Sequence, residues 1–221
     1  MESLSPKVDA TFSPVAQIEK RLKAASTFFN AFDPFVPIGH LSGNLPHWRQ
    51  EGRTYFVTFR TVDSLPTERL RAWLAERAAW LAMNAEPHSE AQRREYWERF
   101  PARFQHWLDQ DYGACVLRQP ALRTIVEDTL RHFDNDRYRL DEFVVMPNHV
   151  HAIVAPLGVH LLSSIVHSWK SFTAHKINKM LRWYGAFWQK ESFDHIVRSV
   201  ASLEKFRQYI RDNPKSVAPK K

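Results

Sequence analysis

Hydrophobic positions along this chain fall either in continuous β-branched and aromatic runs or at helical spacing, and the changes from one to the other mark the expected elements. Thr54 to Thr61 runs β-branched and aromatic residues together, the composition of a buried strand, and Ser64-Leu65-Pro66 ends it. From Pro66 to Met83 the spacing of Leu70, Trp73, Leu74, Ala78 and Leu81 turns helical, with Pro66 suited to a first turn. Ser89 to Leu108 is helical again, with Tyr96, Trp97, Phe100, Phe104 and Trp107 on one side and Pro101 placed to kink or divide it. Pro120 to Phe133 predicts a further helix. Tyr138 to Met146 and His149 to Ala155 predict two strands, and a link as short as Pro147-Asn148 pairs them antiparallel. A long helix over Leu161 to Tyr184, a short strand over Asp194 to Arg198 and a helix over Ser202 to Asp212 follow, the last capped by Ser202 and closed by Pro214. This order predicts an α+β fold in which helices pack an antiparallel sheet.

Residues 1–44 mix Ser, Pro, Gly and Asn, with a short helical pattern over Val15 to Ala31, and predict a partly ordered extension. Residues 45–214 are expected to form the main domain, with a helical insertion near 66–108, and 215–221 a basic tail. Eight Trp and fifteen Phe among 221 residues suffice for a sizeable core. No apolar run approaches the roughly 18–20 residues that span a bilayer, so no membrane partner and a cytoplasmic location are expected. A single cysteine, Cys115, excludes an internal disulfide and any multi-cysteine metal site, and predicts a packing role. Charge is unevenly placed. The net +7 arises entirely in the final third, where residues 157–221 hold 12 basic and 4 acidic side chains against 19 and 20 before them. Such a field attracts phosphates, and Trp169, Phe172, Trp183, Phe187, Trp188 and Phe193 are interleaved with it as stacking candidates. A solvated basic helix with a buried aromatic stripe reads equally well from this region alone.

The candidate chemistry lies in two places. His149 and His151 are two apart at the start of an apolar strand and therefore share a face. Tyr209 and Asn213 are four apart and share one side of a helix whose apolar stripe is Leu203, Phe206 and Ile210. Two imidazoles and an amide oxygen can hold a divalent metal, and a phenol beside it is a nucleophile for a phosphodiester. Taken singly, each has a structural explanation: imidazoles satisfied by hydrogen bonds, a half-buried core tyrosine, and an asparagine ending a helix before proline. Their coincidence with a basic, aromatic region points to a DNA-cutting enzyme.

Met146-Pro147-Asn148-His149-Val150-His151 resembles the histidine–hydrophobic–histidine strand of the single-tyrosine HUH transposases, and Phe206 to Pro214 resembles their nucleophile helix. Leu45-Pro46-His47-Trp48-Arg49 before Tyr55 to Arg60, Ser168-Trp169-Lys170-Ser171-Phe172, and Phe187-Trp188-Gln189 followed by Phe193-Asp194-His195 and Arg198 are similar in kind and order to the REP-associated tyrosine transposases, with their IS200-like domain. The resemblance covers roughly Leu45 to Pro214. The helical stretch from Pro66 to Leu108 departs from a minimal member of that family. The resemblance implies an HUH endonuclease, a ferredoxin-like α/β sandwich in a prokaryotic, nucleoid-associated setting. It would be a monomer or homodimer acting on single-stranded or hairpin DNA. Tyr209 would attack the strand, keep a 5′-phosphotyrosine bond and free a 3′-hydroxyl. His149, His151 and Asn213 would hold Mg²⁺ or Mn²⁺, the imidazoles favouring the softer ion. Lys170, Lys176 and Arg198 are candidates for phosphate contacts, Arg182 and Lys190 weaker ones, and Trp188 is a candidate for base stacking. A non-cleaving nucleic-acid-binding protein of the same fold is the alternative.

Overall fold

Along the strand Tyr55–Arg60, Tyr55, Val57 and Phe59 alternate with Phe56, Thr58 and Arg60, and all six are buried, so the strand must be covered on both faces. The computed structural model, which describes residues 29, 39–41, 47–50, 52–108 and 110–216, supplies both covers. A hairpin of β1 (Gly39–Leu41) and β2 (His47–Arg49) precedes β3 (Tyr55–Arg60). The helices α1 (Thr67–Met83), α2 (Glu90–Trp97) and α3 (Arg103–Leu108) follow, then α4 (Pro120–Arg131). The strands β4 (Tyr138–Val145) and β5 (His149–Pro156), the helix α5 (Leu162–Leu181), β6 (Phe193–Ile196) and α6 (Val200–Ser216) complete the order. β4, β5, β3 and β6 form one sheet in that order, every pair antiparallel, which is the expected α+β class.

Register assigns each residue to a face. Val57 lies opposite Ala152 and Phe59 opposite Val150, and this face buries Leu122, Val126 and Leu130 of α4 with Ile165, Trp169 and Ile177 of α5. On the other face Thr58 lies opposite His151 and Arg60 opposite His149, while Phe56 and Ile153 receive Leu203 and Ile210 of α6. A bulge between Leu140 and Phe143 breaks the β4–β5 register. Beside it, Asp141 and Glu142 pair with Arg207 and Arg211 of α6. Those two pairs align α6 along β4 and carry its C-terminal turns toward the His149 end of β5.

The helices α1 to α3 build a second core from Trp73, Trp80, Phe100 and Phe104 with Leu65. The Trp80 indole donates to Glu95 at 2.9 Å, and Ser89 and Gln92 close a reciprocal cap on α2. Pro101 does divide the predicted helix. Its ring and missing N–H disrupt the regular hydrogen-bond ladder, and a π-helical turn over Glu98–Ala102 takes its place between α2 and α3.

The last helix differs from its predicted bounds. It begins at Val200, Ser199 Oγ accepts from the Ser202 amide at 3.1 Å in place of a Ser202 cap, and the helix runs past Pro214 to Ser216. Proline's fixed φ is helical, and this late in the element it removes only one of the last backbone bonds. The patterns over Val15 to Ala31, apart from Phe29, and at Leu45-Pro46, and the tail beyond residue 216, lie outside the described residues. Cys115 is buried, its thiol donating to the Asp111 carbonyl at 3.1 Å, as a packing residue would be.

Candidate active site

His149 and His151 are fully buried, on the sheet face that α6 covers. Burying two imidazoles requires partners, and one directed chain of hydrogen bonds provides them. The Asn148 amide nitrogen donates to the Tyr112 carbonyl at 2.8 Å, which turns its oxygen toward His149 Nδ1, 2.7 Å away. An amide oxygen only accepts, so Nδ1 carries the proton and His149 Nε2 presents a lone pair. His151 Nε2 lies 3.0 Å from that lone pair and donates to it, leaving His151 Nδ1 to accept from Thr58 Oγ at 2.7 Å. Phe56 stacks on the His151 ring at 5.3 Å between centroids.

Tyr209 reaches the same point from α6. Its ring lies edge-on to His151 at 5.1 Å and to Phe56 at 6.0 Å, and its hydroxyl is 3.4 Å from His151 Nε2. Asn213, one turn beyond it, is inside the helix and buried rather than ending it. The structure therefore brings Tyr209 to the histidine pair and places Asn213 on the neighbouring turn of the same helix.

Burial holds His149 down to about 3, with the Arg60 charge acting in the same sense, and holds His151 well below the ordinary imidazole value, helped by His149. His195, whose ring lies 5.3 Å from that of Trp97, is held to about 4 by burial and then by Arg198. All three imidazoles are therefore neutral at pH 7. Below the unfolded value of about 6.5 the unfolded chain takes up protons that the folded protein refuses, so this stability is complete above pH 6.5 and is lost as pH falls toward 4 and then 3. Melting temperature is expected to decline steadily from pH 6.5 to 4.5, above the carboxylate range. A flat profile there would mean that the imidazoles are not excluded from protonation.

The donor set fits a divalent cation. The two Nε2 atoms lie 3.0 Å apart, close enough to share one ion once the His151 proton moves from Nε2 to Nδ1. Each Nδ1 already has an oxygen partner to orient its ring, Asn148 for His149 and Thr58 for His151. Among the described residues no three His, Cys, Asp or Glu side chains converge. A further protein ligand would accordingly be an oxygen of the kind that Asn213 carries.

The candidates for nucleic-acid contacts are scattered. Trp188 is 5% exposed, packs edge-on against Phe59 at 4.8 Å and donates its indole N–H to Thr173 at 2.8 Å. It is a core residue whose faces are unavailable to a base. Hydrophobic burial outweighs the polar neighbourhood that singled it out. Trp188→Ala is expected to cost about 3–5 kcal/mol of stability in urea unfolding. Trp169 and Phe187 are likewise buried, whereas Phe172 and Trp183 are exposed. Lys170 is half-buried and donates to the Lys190 carbonyl at 2.7 Å, and burial lowers its pKa to about 8. Lys176 is exposed with its ammonium 5.4 Å above Phe172, on the helix covering the opposite side of the sheet from the histidines. Arg198 is exposed and next to the cap of α6. Thr58, Arg60 and Asn148 received no individual role from the sequence. The signal available for the first two was a pair of polar residues alternating with Phe59 and Val57 in an otherwise apolar strand.

Residues 114–213 match the family model described as IS200-like transposase. An uncharacterized protein of Haemophilus influenzae is 29% identical over 98 residues, a match covering 34% of this chain and 54% of that protein, so the chain spans about half the length of the curated relative it matches. Among solved structures, a REP-associated tyrosine transposase bound to a REP hairpin is similar with 18% identity and a TM-score of 0.41, over 78% of this chain and 74% of that one. A provisionally assigned transposase of Deinococcus radiodurans is similar with 14% identity and a TM-score of 0.39, over 84% of this chain and 98% of that one.

Proposed function

We propose that this chain, whose residues 114–213 match the IS200-like transposase family model, is a metal-dependent DNA strand transferase with Tyr209 as its nucleophile. The observation that carries this reading is the Tyr209 hydroxyl set 3.4 Å from His151 Nε2, beside two imidazole nitrogens spaced for one ion. Residues 45–214 are read as one transposase domain, with the stretch near 66–108 inserted into it.

In this mechanism Tyr209 Oη attacks the phosphorus of a single-stranded or hairpin DNA, of the REP type. The bond from phosphorus to the 3′ oxygen breaks, the 3′-hydroxyl leaves with a proton, and the 5′-phosphate stays on the tyrosine. The phosphodiester energy is kept in that link, so a 3′-hydroxyl entering by the reverse path rejoins the strand. An ordinary tyrosine has a pKa of about 10 and needs activation at neutral pH. His149, His151 and Asn213 would hold the ion, Mg²⁺ or Mn²⁺, which when bound neutralises charge on the scissile phosphate. The chain's own part is to hold the phenol beside that phosphate. Thr58 and Asn148 orient the imidazoles, and Phe56 with α6 excludes water behind them. Lys170 and Arg198 are read as phosphate contacts.

A second reading, a non-cleaving nucleic-acid-binding protein of the same fold, draws on one observation: the chain from Thr58 to Tyr112 satisfies both imidazoles without an ion. The test is incubation with labelled single-stranded hairpin DNA from beside the protein's own gene, with Mn²⁺ or with chelator, followed by denaturing electrophoresis. A metal-dependent covalent adduct supports the transferase. Binding without any adduct, on a DNA proven to be its ligand, supports the second reading.

A further inference from the structure

Between the histidine face of the sheet and the inserted helices lies a pocket of about 220 Å³, lined by Thr58, Arg60, Leu74, Phe104, Gln189 and Phe193 among others. Its position follows from the strand register. Thr58 contributes to the pocket wall and also holds His151 Nδ1, so the pocket adjoins the place where the scissile phosphate would lie. Trp73 and Phe104, with Leu70 and Leu74, bring the apolar wall from α1 and α3. Arg60 provides a cation. It is only 7% exposed, donates to Ser64 Oγ at 3.1 Å and lies over the Phe104 ring at 5.1 Å, so its guanidinium is fixed before any ligand arrives. Lys190 lines the pocket too, and its carbonyl receives the Lys170 ammonium at 2.7 Å. Glu191 is an acid on the lining, and its charge acts on both Arg60 and Lys170.

We propose that this pocket takes one unpaired nucleobase of the DNA strand, from a nucleotide next to the scissile phosphate. The apolar walls receive its ring, while Arg60 meets its hydrogen-bonding edge. The inference rests on the strand-transferase reading and adds a binding site to it. Sites for drug-sized ligands occupy about 300–1,000 Å³, so this smaller space suits a single base. A base stacked in a duplex cannot enter such a pocket, whereas one in a single strand enters without the cost of unpairing. A fixed guanidinium reads paired acceptors on a base edge, and apolar side chains hold a planar ring of any sequence. A role for the inserted helices follows: they close one side of a base pocket that the sheet alone would leave open.

The experiment scans abasic substitutions through a hairpin oligonucleotide taken from beside the gene, measuring affinity for the protein and for Leu74→Trp, which fills the pocket. One position close to the cleavage site is expected to lose about tenfold in affinity when its base is removed. Leu74→Trp should lose a similar factor on the intact strand and nothing more on that abasic strand, because the two changes remove the same contact. Losses that multiply, or an abasic profile with no sensitive position, would overturn the proposal. Should Leu74→Trp melt below the assay temperature, Leu70→Phe at the same wall takes its place. Covalent adduct formation is followed in the same samples. Adduct without coupling sinks the pocket alone, and coupling without adduct keeps the pocket while sinking the transferase.

Discussion

Tyr209→Phe will yield no covalent protein–DNA product while keeping nearly all of its affinity for the hairpin. The substitution removes one hydroxyl and leaves the ring, which packs edge-on against Phe56 and His151. The hydroxyl's contact to His151 Nε2, at 3.4 Å, is long for a hydrogen bond, so its removal should cost less than about 1 kcal/mol. The loss of adduct should reach about a thousandfold or more, since no other group replaces a missing nucleophile. Denaturing electrophoresis reads the first quantity, and thermal melting with a binding titration reads the others. Undiminished adduct from the mutant would move the nucleophile to another residue.

Mn²⁺ will raise the melting temperature of the protein, and His149→Gln will abolish that rise. A ligand at about a hundred times its dissociation constant stabilises the folded state by about 2.7 kcal/mol, enough to shift melting by several degrees. The substitution also carries its own penalty, because His149 is fully buried and bonded to both Asn148 and His151. Some loss without metal is therefore expected, and the metal-dependent increment is the quantity that decides. Thr58→Val separates ligation from orientation. In the chain of bonds described, His151 carries its proton on Nε2 and accepts from Thr58 at Nδ1. Ligation needs the Nε2 lone pair, so the proton moves to Nδ1 and Thr58 must become the acceptor. Valine has the shape but no oxygen, and metal affinity should fall about 10- to 100-fold, with Thr58→Ser restoring it. Equal metal response in His149→Gln and the parent protein would remove the histidine pair from the ion site.

Local patterning was sufficient for much of this protein. The run of β-branched and aromatic residues from Thr54 to Thr61, the period of 3.6 along α1, α4 and α5, and the short link at Pro147-Asn148 led to strands, helices and an antiparallel pair close to those observed. Spacing also put His149 with His151 and Tyr209 with Asn213, because residues two apart on a strand and four apart on a helix have no other arrangement available. Packing decided the rest, since it depends on residues distant in sequence. The β3–β5 register set Thr58 against His151 and Arg60 against His149. The ion pairs of Arg207 and Arg211 with β4 laid α6 across the histidines, where Tyr209 meets them. Trp188 and Lys176 show the limit most clearly. The same basic, aromatic stretch sent one into the core beside Phe59 and left the other exposed behind the sheet, because burial is set by which surface a neighbouring element covers and not by the residues on either side.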